Sequence, residues 1–373
     1  MELRADNAKT RSSNFELLRI VAMLMIIAYH IIYHCMLNQL ITGELFHHPM
    51  IYNKLFIMTV IRTFGPICNN VFLLISGYFM IDHVRSQGKS VNLKKTAKKL
   101  VLQVAFSTVL IVLISSVVRV LVGGKVTAHN ISLFNSTTWY VGYYLAVVVI
   151  AALFLNDFLF KLSRGQYAAF ILALFGLISF SWSHDLLCGI SAELPVLLLG
   201  VLLFSVGGFI RRYNPFENVR AYIFVLIIAL GYVFTYIGQY NITTASIDTF
   251  IAENQSYPFM QTIVGYSKES VVPFVISVCL FELFRRIRMP NSRVINFLGS
   301  ATFMVYLMHD NNFVRSLWML HDWMTPLHDA PLAFMAELAL YTIAMFALGV
   351  ATYALYLLTG WIGRNLRPLV VKG

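Results

Sequence analysis

The chain alternates long apolar runs with short polar segments along its whole length. A helix needs about 20 mainly apolar residues to cross a bilayer. Runs of that order fall at 15–37, 56–81, 99–122, 139–160, 167–183, 193–210, 219–240, 258–284, 297–320 and 332–363. The pattern therefore predicts an all-α fold, a polytopic transmembrane helix bundle of about ten spans.

Basic residues are concentrated in alternate connecting segments. The segments between these basic stretches contain only Lys54 and Lys125. Such alternation needs an even number of spans, and the positive-inside rule puts both termini in the cytoplasm. We therefore predict a cytoplasmic N-terminal segment at 1–14, a transmembrane domain at 15–363 and a cytoplasmic tail at 364–373.

Composition narrows the class of protein. Hydrophobic residues occupy 58% of the 373 positions and charged residues 12%, whereas soluble domains are about 25% charged. The net charge of +11 lies in short clusters between apolar runs, which is typical of membrane loops and not of a nucleic-acid-binding surface. The four cysteines are widely spaced and form neither a zinc motif nor a disulfide framework. These features indicate a multi-pass membrane protein.

The first apolar run carries the strongest chemical signal. Ten residues separate Arg19 from His30, so in a helix the two lie within about 20° of one face and about 16 Å apart along the axis. Glu16 and His34 fall on nearly the same stripe. Ionisable groups inside a transmembrane span usually face the interior of the helix bundle or a water-filled cavity. The alternative is a histidine bonded to a neighbouring helix, with the arginine snorkelling to the surface.

His34 follows His30 by four residues, a spacing that suits two ligands of one metal ion on a helix. No carboxylate lies near the pair along the chain. We therefore predict no metal site.

Further motifs follow in order along the chain. They are Asn69-Asn70-Val-Phe72-Leu-Leu-Ile-Ser76-Gly77-Tyr78, Lys94-Lys95-Thr-Ala-Lys98-Lys99, Trp139-Tyr140 and Gly299-Ser-Ala-Thr-Phe303-Met-Val-Tyr306-Leu-Met-His309. Together with Arg19 and His30, this ordered set resembles the acyltransferase-3 family of bacterial membrane acyltransferases, which O-acylate cell-surface carbohydrates and related acceptors. The family usually has arginines where this chain has its lysine cluster.

The resemblance implies a membrane-bound O-acyltransferase of the bacterial inner membrane. It implies acyl-CoA, with acetyl-CoA as the default, as a donor substrate, and no permanently bound cofactor. The acceptor would be a hydroxyl group of a cell-surface or lipid-linked carbohydrate, and the partners would include the lipid bilayer but no nucleic acid.

The same resemblance suggests roles for individual side chains. His30 would act as general base, and Arg19 would help to hold the anionic nucleotide of CoA. The other residues expected at the acyl-CoA are Lys94, Lys95, Lys98, Asn70 and Ser76, the last two as candidate oxyanion donors. Trp139, Tyr140 and His309 are the residues expected at the acceptor.

A second class of function also fits the first apolar run. A proton-coupled small-molecule transporter or flippase would use His30 as a proton relay and Arg19 as a substrate anchor. A non-catalytic assembly partner for glycan enzymes is a third interpretation. Binding of acetyl-CoA discriminates among them, because a transporter of another molecule should not bind CoA.

Overall fold

The computed structural model describes residues 12–36, 55–89, 91–128, 139–253 and 270–370, and within these ranges it is helical without strands. In chain order the helices are α1 Ser13–Ile31, α2 Leu55–Arg62, α3 Phe64–Met80, α4 Leu93–Leu121, α5 Trp139–Ile150, α6 Asn156–Lys161, α7 Arg164–Ser179, α8 Ser181–Ile190, α9 Leu194–Tyr213, α10 Ala221–Glu253, α11 Val271–Arg286, α12 Arg293–His309, α13 Asn312–Trp318, α14 Met324–Asp329 and α15 Pro331–Val370. A π-helical turn, Ile32–Met36, extends α1, and a second, Ala151–Leu155, joins α5 to α6.

The predicted all-α membrane bundle is confirmed. Within the described ranges, seven helices are long and apolar enough to cross a membrane, or eight if α7 and α8, bent by 78°, form one span. Helices α11 and α12 are shorter, at 16 and 17 residues. The total of ten spans and the cytoplasmic position of both ends stay predictions. The start of the predicted span 258–284, with Lys268 and Glu269, lies outside the described residues.

Helix α1 packs against α3, α11, α12 and α15, so it lies inside the bundle. Polar contacts fix its first turn. The side-chain amide of Asn14 donates to the carbonyls of Phe284 (3.1 Å) and Arg285 (3.2 Å) in the last turn of α11, where carbonyls run out of helical N–H partners. Ser13 accepts a bond from the amide of Ser292 (2.8 Å) at the start of α12. These bonds set the rotation of α1, and therefore the direction of its Arg19–His30 face.

Close helix crossings depend on glycine, as is common where helices meet without a hydrophobic driving force. A Cβ atom at Gly77 of α3 would collide with the carbonyl of Phe204 in α9, and one at Gly207 of α9 would collide with the carbonyl of Leu74. Gly299 of α12 likewise accommodates the side chain of Glu16 from α1. The contact between Gly299 and Glu16 brings α12 close against the first turns of α1.

The α3–α9 crossing gives a stability prediction. Gly77→Ala should force the two backbones apart and destabilise the protein by roughly 1–3 kcal/mol, the usual range for overpacking. Gly142→Ala is the matched control, because a Cβ there meets no atom within 4 Å, and alanine is the better helix former. The measurement is the thermal unfolding midpoint of detergent-solubilised protein. Equal midpoints for the two variants would contradict the crossing geometry.

Candidate functional site

Two histidines from distant parts of the chain meet inside the bundle. Nδ1 of His30, on α1, lies 2.8 Å from Nε2 of His309, the last residue of α12, and the ring centroids are 5.0 Å apart with the planes 24° from parallel. His309 is fully buried, whereas the side chain of His30 is 13% exposed. The partly exposed ring is therefore the one that a substrate can reach.

The hydrogen-bond partners assign the tautomers of this pair. Nδ1 of His309 lies 3.1 Å from the carbonyl oxygen of Val305, which can only accept. In the neutral ring that nitrogen carries the proton, so Nε2 of His309 is an acceptor. Nδ1–H of His30 then donates to it, and the remaining nitrogen, Nε2 of His30, has a free lone pair. This is the arrangement of a base held by a second group behind it.

A buried carboxylate completes the cluster. Oδ2 of Asp310 lies 3.7 Å from Nε2 of His30, and its Oδ1 lies 3.3 Å from Nε2 of His34. Arg315 donates to the same Oδ1 from Nε (2.9 Å) and Nη2 (2.5 Å). Asp310 is 3% exposed, and a charge so buried needs such partners. The cluster thus contains one anion and one permanent cation around three imidazoles.

The prediction of no metal site used the lack of a nearby carboxylate, and that reason was wrong. His30, His34 and Asp310 each offer a ligand atom within 4.8 Å of the others, so together they could hold a cation. Asp310 was overlooked because it lies far from α1 in sequence. Two contacts compete with a metal: Arg315 already neutralises the carboxylate, and His309 fixes the ring of His30. The absence of a metal stays a prediction.

A cavity of about 390 Å³ lies beside α1. Arg19, Lys95 and Lys99 contribute cations to its wall, and Tyr140 and Tyr306 contribute aromatic rings. The other wall residues are Met23, Ile26, Asn69, Phe72, Ser76, Thr96, Leu100, Gln103, Val141, Tyr144, Gly299, Ser300, Thr302 and Phe303. Arg19 reaches the cavity while paired with Glu16 (2.9 Å), and its side chain is 29% exposed.

One layer of side chains separates this cavity from the histidine pair. Within the described residues, the wall includes Tyr306 but neither His309 nor His30. The rings of Tyr306 and His309 are 5.8 Å apart between centroids, and those of Tyr306 and Tyr140 are 6.0 Å apart. The cavity and His30 are therefore neighbours, with Tyr306 and His309 between them.

The predicted lysine cluster divides between two faces of α4. Lys95 and Lys99 both line the cavity. Lys99 belongs to the lysine motif but was not among the residues expected to bind acyl-CoA. All four lysines are exposed, but among the described residues Lys94 and Lys98 do not belong to the cavity wall. Asn92 caps the helix by accepting a bond from the amide of Lys95 (2.9 Å). The positive end of the helix dipole adds to the cations at this mouth.

Two further predicted residues come from α3. Ser76 lines the cavity, but its hydroxyl donates to the carbonyl of Phe72 (2.9 Å). Asn70 is 2% exposed and is not among the described wall residues, whereas its neighbour Asn69 is. The bond of Ser76 to its own helix does not favour the expected role as oxyanion donor, whereas Nδ2 of Asn70 has no partner among the described residues. Both assignments stay predictions.

The three residues expected at the acceptor occupy different positions. Tyr140 lines the same cavity as Lys95 and donates to the carbonyl of Asn69 (3.1 Å). Trp139 stacks on Tyr143, with centroids 5.9 Å apart. Both ring nitrogens of His309 are engaged, so its geometry favours a role behind His30 over contact with an acceptor.

Three important residues were missed at the level of sequence. Asp310 follows His309 directly and Arg315 lies five residues further on, so both fall inside the predicted span 297–320. An ionisable group within a span is a recognised signal of function. Gln103 lies one turn beyond Lys99 on the cavity face of α4. Nothing in the local sequence distinguishes it from an ordinary polar residue in a helix.

Comparison with known proteins identifies one family. The acyltransferase-3 family model, described as an acyltransferase domain, matches residues 12–354. The match begins one residue before α1 and extends into α15, so it includes the histidine cluster and the cavity. No curated protein and no solved structure matches the chain.

The ion pair between Arg315 and Asp310, which competes with a metal ion for the carboxylate, gives a prediction about metal binding. Treating the purified protein with EDTA should leave its thermal unfolding midpoint unchanged, because Arg315 already compensates the carboxylate. Metal content by mass spectrometry should be well below one ion per chain. A midpoint that falls on chelation in the wild type, but not in His34→Ala, would show that the cluster holds a cation.

Proposed function

The chain belongs to the acyltransferase-3 family, and from this premise we propose that it moves an acetyl group from cytoplasmic acetyl-CoA to a hydroxyl of a cell-surface or lipid-linked carbohydrate. The family supports acyl transfer at a membrane. The donor, the acyl group, the acceptor and a location in the bacterial inner membrane are parts of the proposal.

The observation that carries the proposal is the order of chemical groups along the cavity. Along α4 its wall runs from the cations Lys95 and Lys99 to the polar Gln103, and the aromatic ring of Tyr306, also in the wall, lies next to His309. Coenzyme A has the same order, from an anionic nucleotide through a neutral arm to a thioester. A cation-rich helix N-terminus is also a suitable site for phosphate groups.

Arg19, Lys95 and Lys99 are the proposed contacts of the nucleotide. Lys95 and Lys99 are one helical turn apart on α4, so both ammonium groups can approach the same phosphates. We put this mouth on the cytoplasmic side, because the positive-inside pattern predicts that side and acetyl-CoA is made there. The thioester then points towards Tyr140 and Tyr306.

His30 is the proposed general base. The hydroxyl oxygen of the acceptor attacks the thioester carbonyl carbon while Nε2 of His30 takes the hydroxyl proton. The tetrahedral intermediate then expels the thiolate as the carbon–sulfur bond breaks. The proton held by His30 passes to the sulfur, which gives the acylated carbohydrate and free CoA and restores the neutral base.

Asp310 supports this step by its charge. A protonated His30 lies 3.7 Å from its Oδ2, and two opposite charges at about 4 Å attract by roughly 4 kcal/mol at an effective dielectric constant of about 20. Arg315 offsets part of this attraction and keeps the carboxylate ionised and oriented. The pair therefore stabilises the imidazolium without removing its proton.

Two approaches to His30 are needed, one for each substrate. On the donor side, the layer formed by Tyr306 and His309 must shift for the thioester to come within reach of His30. On the acceptor side, His30 and His34 are 13% and 17% exposed, beside Tyr33, which is 38% exposed.

His30→Ala should abolish carbohydrate acetylation in membranes at equal expression, with a loss of at least about 100-fold, the lower range for removal of a general base. Binding of acetyl-CoA should change little, because the base lies beyond the cavity wall. Transfer is measured with radiolabelled acetyl-CoA, and binding by the shift of the unfolding midpoint. Full transfer by the variant would exclude His30 as the base.

The two faces of α4 give a charge-matched pair of variants. The double variant Lys95→Ala/Lys99→Ala should weaken acetyl-CoA binding at least about tenfold. The double variant Lys94→Ala/Lys98→Ala should change the affinity by less than about threefold, because salt screens exposed charges that do not contact the ligand. Both doubles remove two positive charges. Equal weakening by both would mean that bulk surface charge, and not the cavity, binds the donor.

The transporter interpretation makes the opposite prediction about the donor. If His30 relays protons for an unrelated substrate, acetyl-CoA should neither stabilise the purified wild-type protein nor be consumed by it. Stabilisation by acetyl-CoA, together with acetyl transfer, supports the acyltransferase proposal.

A further inference from the structure

Gln103, in the cavity wall, has a side-chain amide without a hydrogen-bond partner among the described residues. It is 1% exposed and lines the cavity, yet among the described residues neither its Nε2 nor its Oε1 makes a hydrogen bond. Most buried side-chain amides are bonded, so an orphaned one on a cavity wall needs an explanation. The mechanism proposed above does not use this residue.

Its position lies between the two ends of the cavity. Lys95, Lys99 and Gln103 are four residues apart on α4 and share its cavity face. Gln103 is therefore about 6 Å further along the helix axis than Lys99 and about 12 Å further than Lys95. A ligand whose anionic end binds the lysines passes Gln103 with its middle portion.

The chemistry of the orphaned group restricts what it can bind. A glutamine amide offers two donors on nitrogen and an acceptor on oxygen. Phosphate and carboxylate groups only accept, and an acyl chain does neither. A secondary amide accepts through its carbonyl and donates through its N–H, so it can satisfy both atoms of Gln103 at once.

We infer that Gln103 binds an amide group of the donor's arm, and so selects a pantetheine thioester over other acyl donors. This inference rests on the proposed function, and it adds a contact between the nucleotide mouth and the histidine pair. Pantetheine carries two amide groups between its phosphate end and its sulfur. Acyl donors without amides, such as acyl phosphates or glycerolipids, would leave the glutamine unpaired in a buried site, which disfavours them.

The test is Gln103→Leu, which keeps the approximate shape and removes both polar atoms. Acetyl-CoA binding to the purified protein should weaken about tenfold, the change expected for loss of two neutral hydrogen bonds. Binding of adenosine 3′,5′-bisphosphate, which has the nucleotide but no arm, should stay within about twofold of wild type. Both affinities are measured by isothermal titration calorimetry in detergent.

Ser107→Ala is the matched control. Ser107 lies one turn further along α4 and is 2% exposed, but it bonds only to its own helix at the carbonyl of Val104 (2.9 Å) and is not among the described wall residues. This variant should bind both ligands like wild type. Without ligand, Gln103→Leu should unfold no earlier than wild type, since it removes an unpaired amide.

Four results would overturn the inference. Unchanged acetyl-CoA affinity in Gln103→Leu would mean that water satisfies the amide, and the proposed function would stand. Equal weakening for acetyl-CoA and the bisphosphate, or a lower unfolding midpoint without ligand, would mean that Gln103 supports the fold. Failure of the wild-type protein to bind acetyl-CoA would remove the proposed function and the inference together.

Discussion

The hydrogen bond between His30 and His309 connects the two helices on which the site depends. An imidazole inside a membrane bundle must find a partner, because lipid offers none and an unsatisfied polar group costs several kcal/mol. His30 finds its partner on α12, and His309 finds its own in the carbonyl of Val305. This chain of bonds leaves Nε2 of His30 without a partner in the ring of His309. Asp310, held by Arg315, then lies on the side of that nitrogen.

The same two helices form one side of the cavity. Glu16 packs into the space left by Gly299, and Arg19, one turn later, turns its guanidinium into the cavity. Helix α4 supplies the opposing cations, and α5 supplies Tyr140. The wall around a ligand in this space thus comes from five helices, α1, α3, α4, α5 and α12, which are spread along the chain. In the proposed function, binding and catalysis are linked through α1, which carries both Arg19 and His30.

Much of this arrangement follows from local periodicity, and the rest does not. The helical character, the shared face of Arg19 and His30 and the four-residue spacing of the lysines need only 3.6 residues per turn. Which lysine pair faces the cavity depends on the rotation of α4 about its axis. In a membrane both the lipid-facing and the protein-facing sides of a helix are apolar, so hydrophobic periodicity cannot fix that rotation. Lys99 and Gln103 were therefore not selected, and Lys94 and Lys98 were.

The partners of His30 were missed for a different reason. Asp310 lies 280 residues beyond it, and only the packing of α12 against α1 brings the two together. The glycines at the helix crossings set how close that packing is, and a glycine in sequence does not reveal its neighbour. Family motifs pointed to His309 as a site residue but not to the atom that it contacts.

The bonds of Asn14 to the last carbonyls of α11 have a consequence for how α1 tolerates change in length. They anchor the helix at its start, so every later residue keeps a fixed angular phase relative to α12. Loss of a single residue between Arg19 and His30 would turn the imidazole by about 100° and withdraw it by about 1.5 Å, beyond reach of its partner. Loss of seven would restore the phase to within about 20° but shorten the span by about 10 Å. The length of this segment is therefore as constrained as its composition.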